Sequence, residues 1–298
     1  SSMVNHDIKL GYYNYSDINS ASENNFDADA HVYTYIEHQR LDIKADVQYY
    51  GDENRHDTSH TWNLVFNPYF SARQKHWDAH LGLNADYETE AGKFDIFPDV
   101  VARYHVGEDA VLIYAGIDGK KEYNSFKSLS TMNPFVQDTL TQVYTSTAYH
   151  LFGGFGGSIT NQLTYDIHGS QSEIKNMPLF VTDTLETLRN RFAVVYDNVK
   201  VFNAHAELNY ATKKGVHVSL GGDYYQYTPT NQLKVWYHPA LKINLTGEYT
   251  IQNKYIVKAE IYMLGSQYAP EMVAGQMTAK QLSGYPDINL GLDYKYSK

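Results

Sequence analysis

The 298-residue chain contains no cysteine, so neither a disulfide framework nor a thiolate-held metal site is available to it. Basic residues are also scarce. Lys and Arg number 24 against 34 Asp and Glu, a formal net charge of -10. With no basic stripe to neutralise phosphates, nucleic acid is not among the expected partners. Long apolar runs are missing as well. No segment approaches the roughly 20 consecutive apolar residues of a spanning helix, and a mean hydropathy of -0.49 rules out a bundle of membrane helices. A membrane barrel is untouched by that exclusion, because its strands place only every second residue on lipid. Capped segments with a helical period are absent too, so the chain reads as all-β.

Tyrosine is in excess, with 28 against 12 Phe and 3 Trp. Its ring suits strands, and an apolar ring ending in a wet hydroxyl suits a water–lipid boundary. The order of residues sharpens this. In "HWDAHLGLNADYETE" (76–90), Trp77, Ala79, Leu81, Leu83, Ala85 and Tyr87 alternate with Asp78, His80, Gly82, Asn84 and Asp86. A strict period of two is a strand with one apolar and one polar face. The same comb recurs in "FDADAHVYTYIE", "RLDIKADVQYY", "TWNLVFNPYFSA", "ALKINLTGEYT", "YIVKAEIYML" and "DINLGLDYKY". Residues 190–211 read as one long strand, since Phe192, Val194, Tyr196, Phe202, Ala204, Ala206, Leu208 and Tyr210 share one parity. Pro68 and Pro98 fall within strand patterns, where bulges or strand ends are expected.

The connections alternate in length. Short turns are expected at 39–40, 75–76, 107–109, 161–162, 213–215 and 252–254. Longer connections are expected at 16–25, 51–61, 125–145, 171–190, 228–239 and 265–286, with a medium one at 88–93. About 14 antiparallel strands with tight turns at one end and long loops at the other is the pattern of a transmembrane β-barrel. A soluble sandwich has no reason to sort its loops by end. The apolar teeth are therefore expected to face lipid or its interface: Trp62, Phe66, Trp77, Leu81, Tyr87, Phe202, Tyr210, Leu245, Tyr249, Tyr255, Ile261 and Tyr294. The opposite face is expected to line a lumen with Asp42, Lys44, Asp46, Asp78, His80, Asp86, His205, Glu207, Lys242, Glu248, Lys258 and Glu260. A packed core could not hold so many ionisable groups, but a wet or plug-filled lumen can.

Particular stretches carry a resemblance. "PDV" (98–100), "YAGIDG" (114–119), "NPFV" (133–136), "NMPLFV" (176–181) and "VVYD" (194–197) are similar to the barrel part of TonB-dependent-receptor-like outer-membrane proteins of Bacteroidota. The resemblance runs from about residue 7 to 298. It implies location in the outer membrane of a Gram-negative bacterium, contact with outer-membrane lipid and lipopolysaccharide, and a part in solute transport or binding across that membrane. Similar proteins carry a substantial portion before the segment matching "HDIKLGYYNYSD" and a further hairpin after "DINLGLDYKYSK". The chain is therefore expected to be one part of a larger barrel. No plug domain or TonB box is recognisable in these residues. The second reading is a non-transporting, structural or accessory subunit of a larger outer-membrane complex, with other envelope proteins as partners.

Candidate sites are few. The loop 124–150 is the best recognition surface. The acidic run 16–31, with Asp17, Glu23, Asp27 and Asp29, lacks the D-x-D-x-D-G spacing of a calcium loop and reads as a solvated loop entering a strand. His205 with Glu207, and His76 with Asp78 and His80, point the same way on one strand, but at about 6.6 Å spacing such pairs rarely chelate without a third ligand. "GGFGGS" (153–158) opens no helix, so it is not a phosphate loop; glycine there allows a bend or a close neighbour. No nucleophile–base constellation is evident. No catalytic residue, metal or cofactor is expected.

Overall fold

A computed structural model of the chain describes residues 4–18, 21–37, 39–53, 58–107, 110–182, 190–252 and 254–296. Its strands are β1 (Asn5–Ser16), β2 (Ser22–Ile36), β3 (Gln39–Glu53), β4 (Thr58–Arg73), β5 (Trp77–Glu88), β6 (Lys93–Val106) and β7 (Val111–Tyr123). After helix α1 (Phe126–Met132) come β8 (Tyr144–Thr160), β9 (Leu163–Thr182), β10 (Phe192–Ala211), β11 (Val216–Pro229), β12 (Leu241–Ile251) and β13 (Tyr255–Leu264). A hairpin of β14 (Gln267–Val273) and β15 (Gln276–Leu282) precedes β16 (Tyr285–Tyr294). Fourteen strands form one sheet in the order β1 through β13 and then β16, while β14 and β15 pair separately. No described helix is long and apolar enough to cross a membrane.

The chain divides into two compact units. One comprises Ser1–Ala102, Gly116–Leu151 and Ser172–Val199; the other comprises Arg103–Ala115, Phe152–Gln171 and Lys200–Lys298. In the first unit β1 to β5 are neighbours in chain order, with Asp42 opposite Tyr69, Phe66 opposite Ala85 and Phe70 opposite Leu81. In the second, Leu245 sits between Leu220 and Ile261, and Tyr255 lies opposite Tyr294. Apart from Asp42 with Tyr69, these pairs match apolar to apolar, although mixed pairs occur, such as Val65 between Asp46 and Asp86; a slip of one residue would invert every side chain.

Segment 192–211 is indeed one strand. Several expected loops are shorter than the sequence suggests. β2 begins at Ser22 and β3 runs to Glu53, β9 continues to Thr182, and 265–286 holds the β14–β15 hairpin. Asn, Asp, Ser and Gly have poor strand propensity, but cross-strand pairing such as Ser22 with Glu53 and Asn24 with Gly51 holds them extended. Positions 19–20, 54–57, 108–109, 183–189 and 253, within the expected connections, lie outside the described residues. One helix also interrupts the all-β expectation. α1 starts at an N-cap, Ser125, whose hydroxyl accepts from the Ser128 amide at 3.2 Å. Seven residues are too few to show a helical period.

Pro68 neither ends β4 nor bulges it. Pairing with β5 omits Asn67 and Pro68, then resumes at Tyr69–Gly82 in the register set by Phe66–Ala85. Leu83, the residue that register places opposite Pro68, loses a backbone donor. The Asn67 amide supplies one instead, donating to the Leu83 carbonyl at 2.9 Å. Pro98 likewise lies inside β6. In "GGFGGS" the close-neighbour reading holds: a Cβ on Gly157 would lie 2.2 Å from the Ala110 carbonyl oxygen.

Among the described residues, buried apolar side chains are few. Phe126, Leu129, Tyr123, Tyr144 and Leu179 in the first unit, with Val235 and Trp236 in the second, lie at strand ends and connections, while Phe97 in β6 and Val199 and Val201 in β10 are buried within strands. The apolar teeth expected on the lipid face, from Trp62 to Tyr294, are accessible along the strands.

Candidate functional site: the polar strand faces

The twelve apolar and aromatic residues singled out above, from Trp62 to Tyr294, are all solvent-exposed in this chain. The polar set on the opposite parity behaves differently. Asp42 and Asp86 are buried, Lys44 and Lys242 are exposed, and the other eight are half-buried.

In the first unit the polar face is a layer of paired charges. Asp42 accepts from Arg40 Nη2 at 2.6 Å and from the Tyr69 hydroxyl at 3.0 Å, with His31 Nε2 at 2.7 Å. The Arg40 guanidinium lies 4.2 Å from the Tyr33 ring centroid. His80 Nε2 is 3.0 Å from Asp99, and Lys44 Nζ stands 4.9 Å from the Tyr69 ring. Asp78 lies across from Arg73 and Asp46 across from Asp29. Lys121, nearly buried, donates to Asp95 at 3.1 Å and pairs with Glu88. One carboxylate oxygen each on Asp42, Asp46 and Asp86 is buried without a protein hydrogen-bond partner. In a dry interior three such oxygens would cost several kcal/mol.

The long connection 124–143 closes over this unit's strand ends as a packed structure. Glu23 is fully buried and accepts from the Tyr13 hydroxyl and from the Lys127 amide at 2.9 Å. Its neighbourhood corrects the reading of 16–31 as a solvated acidic loop. The Lys127 ammonium sits 3.4 Å from the Tyr13 ring, and Phe126 packs 5.7 Å from Tyr15. Asp52 accepts from Tyr123 and from Gln142, each at 3.1 Å. Further along, Tyr196 donates to the Thr141 carbonyl at 2.8 Å.

In the second unit Lys258 pairs with Asp293 at 2.7 Å and lies across from Glu248. Glu260 is opposite Thr246, and Lys242 Nζ is 5.2 Å from the Tyr225 ring. His205 Nδ1 is 2.9 Å from Asp223, and its Nε2 is 3.7 Å from Glu207. The His205 ring stacks on His168 at 4.6 Å, and His168 Nδ1 contacts Asp166 at 2.8 Å. No stretch singled out in the sequence contained Asp166 or His168. Their signal was there in "YDIHGS", which repeats the acid–x–imidazole alternation of "HAE" (205–207) in reverse.

The connection 230–240 has a buried floor of Val235 and Trp236. His238 Nδ1 lies 2.7 Å from the Trp236 carbonyl oxygen, and burial pushes the imidazole pKa below its usual value. A lowered native pKa means that the unfolded segment protonates first. The stabilisation is whole above about pH 6.5 and declines as pH falls through the native value. Hydrogen exchange over 230–240, corrected for intrinsic rates, is expected to accelerate between pH 7.5 and 5.5. The His238→Gln chain should lose that pH dependence.

The sequence matches no protein-family model and no curated protein. Solved structures do match. The ferric enterobactin receptor PfeA of Pseudomonas aeruginosa, as its G324V mutant, aligns with TM-score 0.66 at 15% identity over 93% of this chain and 47% of its own. The FrpB iron transporter of Neisseria meningitidis aligns with TM-score 0.63 at 11% identity, over 92% and 48%. The copper transporter OprC aligns with TM-score 0.61 at 10% identity, over 93% and 49%. The chain thus spans about half the length of the structures it matches. At these identities what is shared is the fold, a large antiparallel β-sheet.

Proposed function

We propose that these residues form part of an outer-membrane β-barrel of the TonB-dependent-receptor-like type, serving solute transport or binding across the outer membrane of a Gram-negative bacterium. The carrying observation is the split by parity: exposed apolar teeth on one face, ionisable groups that are mostly half-buried or buried on the other. Lipid and lipopolysaccharide would contact the first face, and water or a polar plug the second. Spacing along β5 supports the reading. Trp77 and Tyr87 end its apolar stripe, and about ten residues at ~3.4 Å each, tilted ~45°, give ~24 Å. That matches the ~25 Å apolar band and its flanking aromatic girdles. Among the described residues β1 and β16 each pair on one side. A bare strand edge is not stable in hydrocarbon, so further strands are proposed to complete the barrel.

The packed 124–143 connection bears on the accessory-subunit reading, because a covered strand end can hold a partner protein as well as select a solute. The test is to extract the native protein from outer membranes in mild detergent and measure intact mass, co-purifying chains and bilayer conductance. A single heavier chain with solute-sensitive conductance is the expected result. Fixed-stoichiometry partners without conductance would establish the accessory role instead. Recovery from the soluble fraction would overturn both.

A further inference from the structure

Of the polar side chains in the second unit, one group is arranged as donors around a point. Asp166 and His168 share a face of β9, and His205 faces them from β10. One donor atom from each lies within 4.8 Å of the other two. A tetrahedral ion with bonds of about 2.0–2.1 Å needs donors roughly 3.3 Å apart. All three side chains are partly accessible, so rotamer changes can close the difference.

The surroundings are those of a ligand set. His205 Nδ1 is engaged by Asp223 at 2.9 Å, which Asn203 also reaches at 3.2 Å, leaving Nε2 as the nitrogen to coordinate. Ligating histidines characteristically direct their other ring nitrogen to a carboxylate in this way. The Tyr114 hydroxyl donates to both oxygens of Asp166 at 2.9 Å and steadies that side chain. Glu207, 3.7 Å from His205 Nε2, is within reach as a fourth donor. Among the described residues the ion-pair partners of Asp166, Glu207 and Asp223 are these two histidines. Three carboxylates and two imidazoles converge here as a mixed nitrogen and oxygen donor set.

We infer that Asp166, His168 and His205 form a binding site for an imidazole-preferring divalent transition metal such as Zn2+, with Glu207 completing the set and Asp223 positioning His205. Two imidazoles with carboxylates select this class over Ca2+ and Mg2+, which favour all-oxygen shells. The third ligand that the His205–Glu207 pair lacks on its own strand comes from the neighbouring one. The site does not depend on whether the barrel transports anything.

The test is zinc titration of the native protein, stripped with chelator, in detergent by calorimetry, with Co2+ absorption as a spectroscopic check. One saturable Zn2+ site is expected, and bound Co2+ should give the visible bands of tetrahedral coordination. His168→Asn and His205→Asn should each weaken binding at least about 100-fold, and Asp223→Asn by about 10–100-fold without abolishing it. Because a variant may misfold, zinc should also shield His168 and His205 of the unaltered protein from diethylpyrocarbonate, read by peptide mass spectrometry. Unchanged zinc binding in a folded His168→Asn/His205→Asn double variant would overturn the assignment. So would reactivity of both histidines that zinc does not alter. Neither result would touch the fractionation and conductance outcomes above.

Discussion

Arginine at Leu245 will destabilise the membrane-inserted protein by roughly 2–4 kcal/mol, whereas arginine at the adjacent Thr246 will cost less than about 0.5 kcal/mol. The two positions share a strand, a depth and nearly the same distance from either end of β12. They differ in face. Leu245 is exposed between Leu220 and Ile261, a patch that would have to accommodate a guanidinium in hydrocarbon. Thr246 lies between Ser219 and Glu260, where a cation meets water and an acid. Leu81→Arg on β5, opposite Phe70, should repeat the larger penalty in the first unit. Equilibrium denaturant unfolding in lipid vesicles measures each difference. Equal costs at 245 and 246 would mean that parity does not sort lipid from water.

A Gly157→Val substitution is expected to be the most damaging change of a small residue, at about 3 kcal/mol. Its added Cβ would meet the Ala110 carbonyl oxygen at 2.2 Å and the Val111 Cα at 3.2 Å. Both are backbone atoms, so no rotamer change relieves the contact. β8 or the turn before β7 must move, and with it the Ser158–Ala110 hydrogen bond at 3.3 Å. Gly153 is the control on the same strand, since its Cβ would meet nothing nearer than 3.5 Å. Gly153→Ala should therefore leave the unfolding midpoint almost unchanged while Gly157→Val lowers it strongly. Similar midpoints for the two would show that the strand approach at Ala110 is not tight.

How much of this could be read from the sequence depends on what each feature is made of. Strand character is local, and the alternation Trp77, Ala79, Leu81 displays it directly. So does the shared parity, interrupted only at Asn198 and Lys200, by which 190–211 reads as one strand. Register is a relation between strands, and the period of two leaves it open to shifts of two residues. For that reason the polar residues could be assigned a face but not partners. Asp42 was on the polar face by parity alone, yet its bond from Tyr69 needs the β3–β4 register. The same holds for His205, whose neighbours His168 and Asp223 come from β9 and β11. Glu23 was misjudged because an acid in an acidic run looks solvated, while its burial depends on a helix a hundred residues later. That helix was itself illegible, being a single capped segment too short for a period. At Pro68 the expectation of a bulge failed for a similar reason. The compensating donor is the Asn67 side chain acting across the ladder.

The central claim is that the apolar teeth meet lipid and the polar teeth meet water. With no native cysteine in these residues, a single cysteine can be placed at each position from 77 to 87 and spin-labelled without background. In lipid bilayers the collision rate with oxygen should peak at 77, 79, 81, 83, 85 and 87. The rate with a water-soluble nickel chelate should peak at 78, 80, 82, 84 and 86. Collision rates that fail to alternate, or that alternate in the opposite phase, would contradict the account.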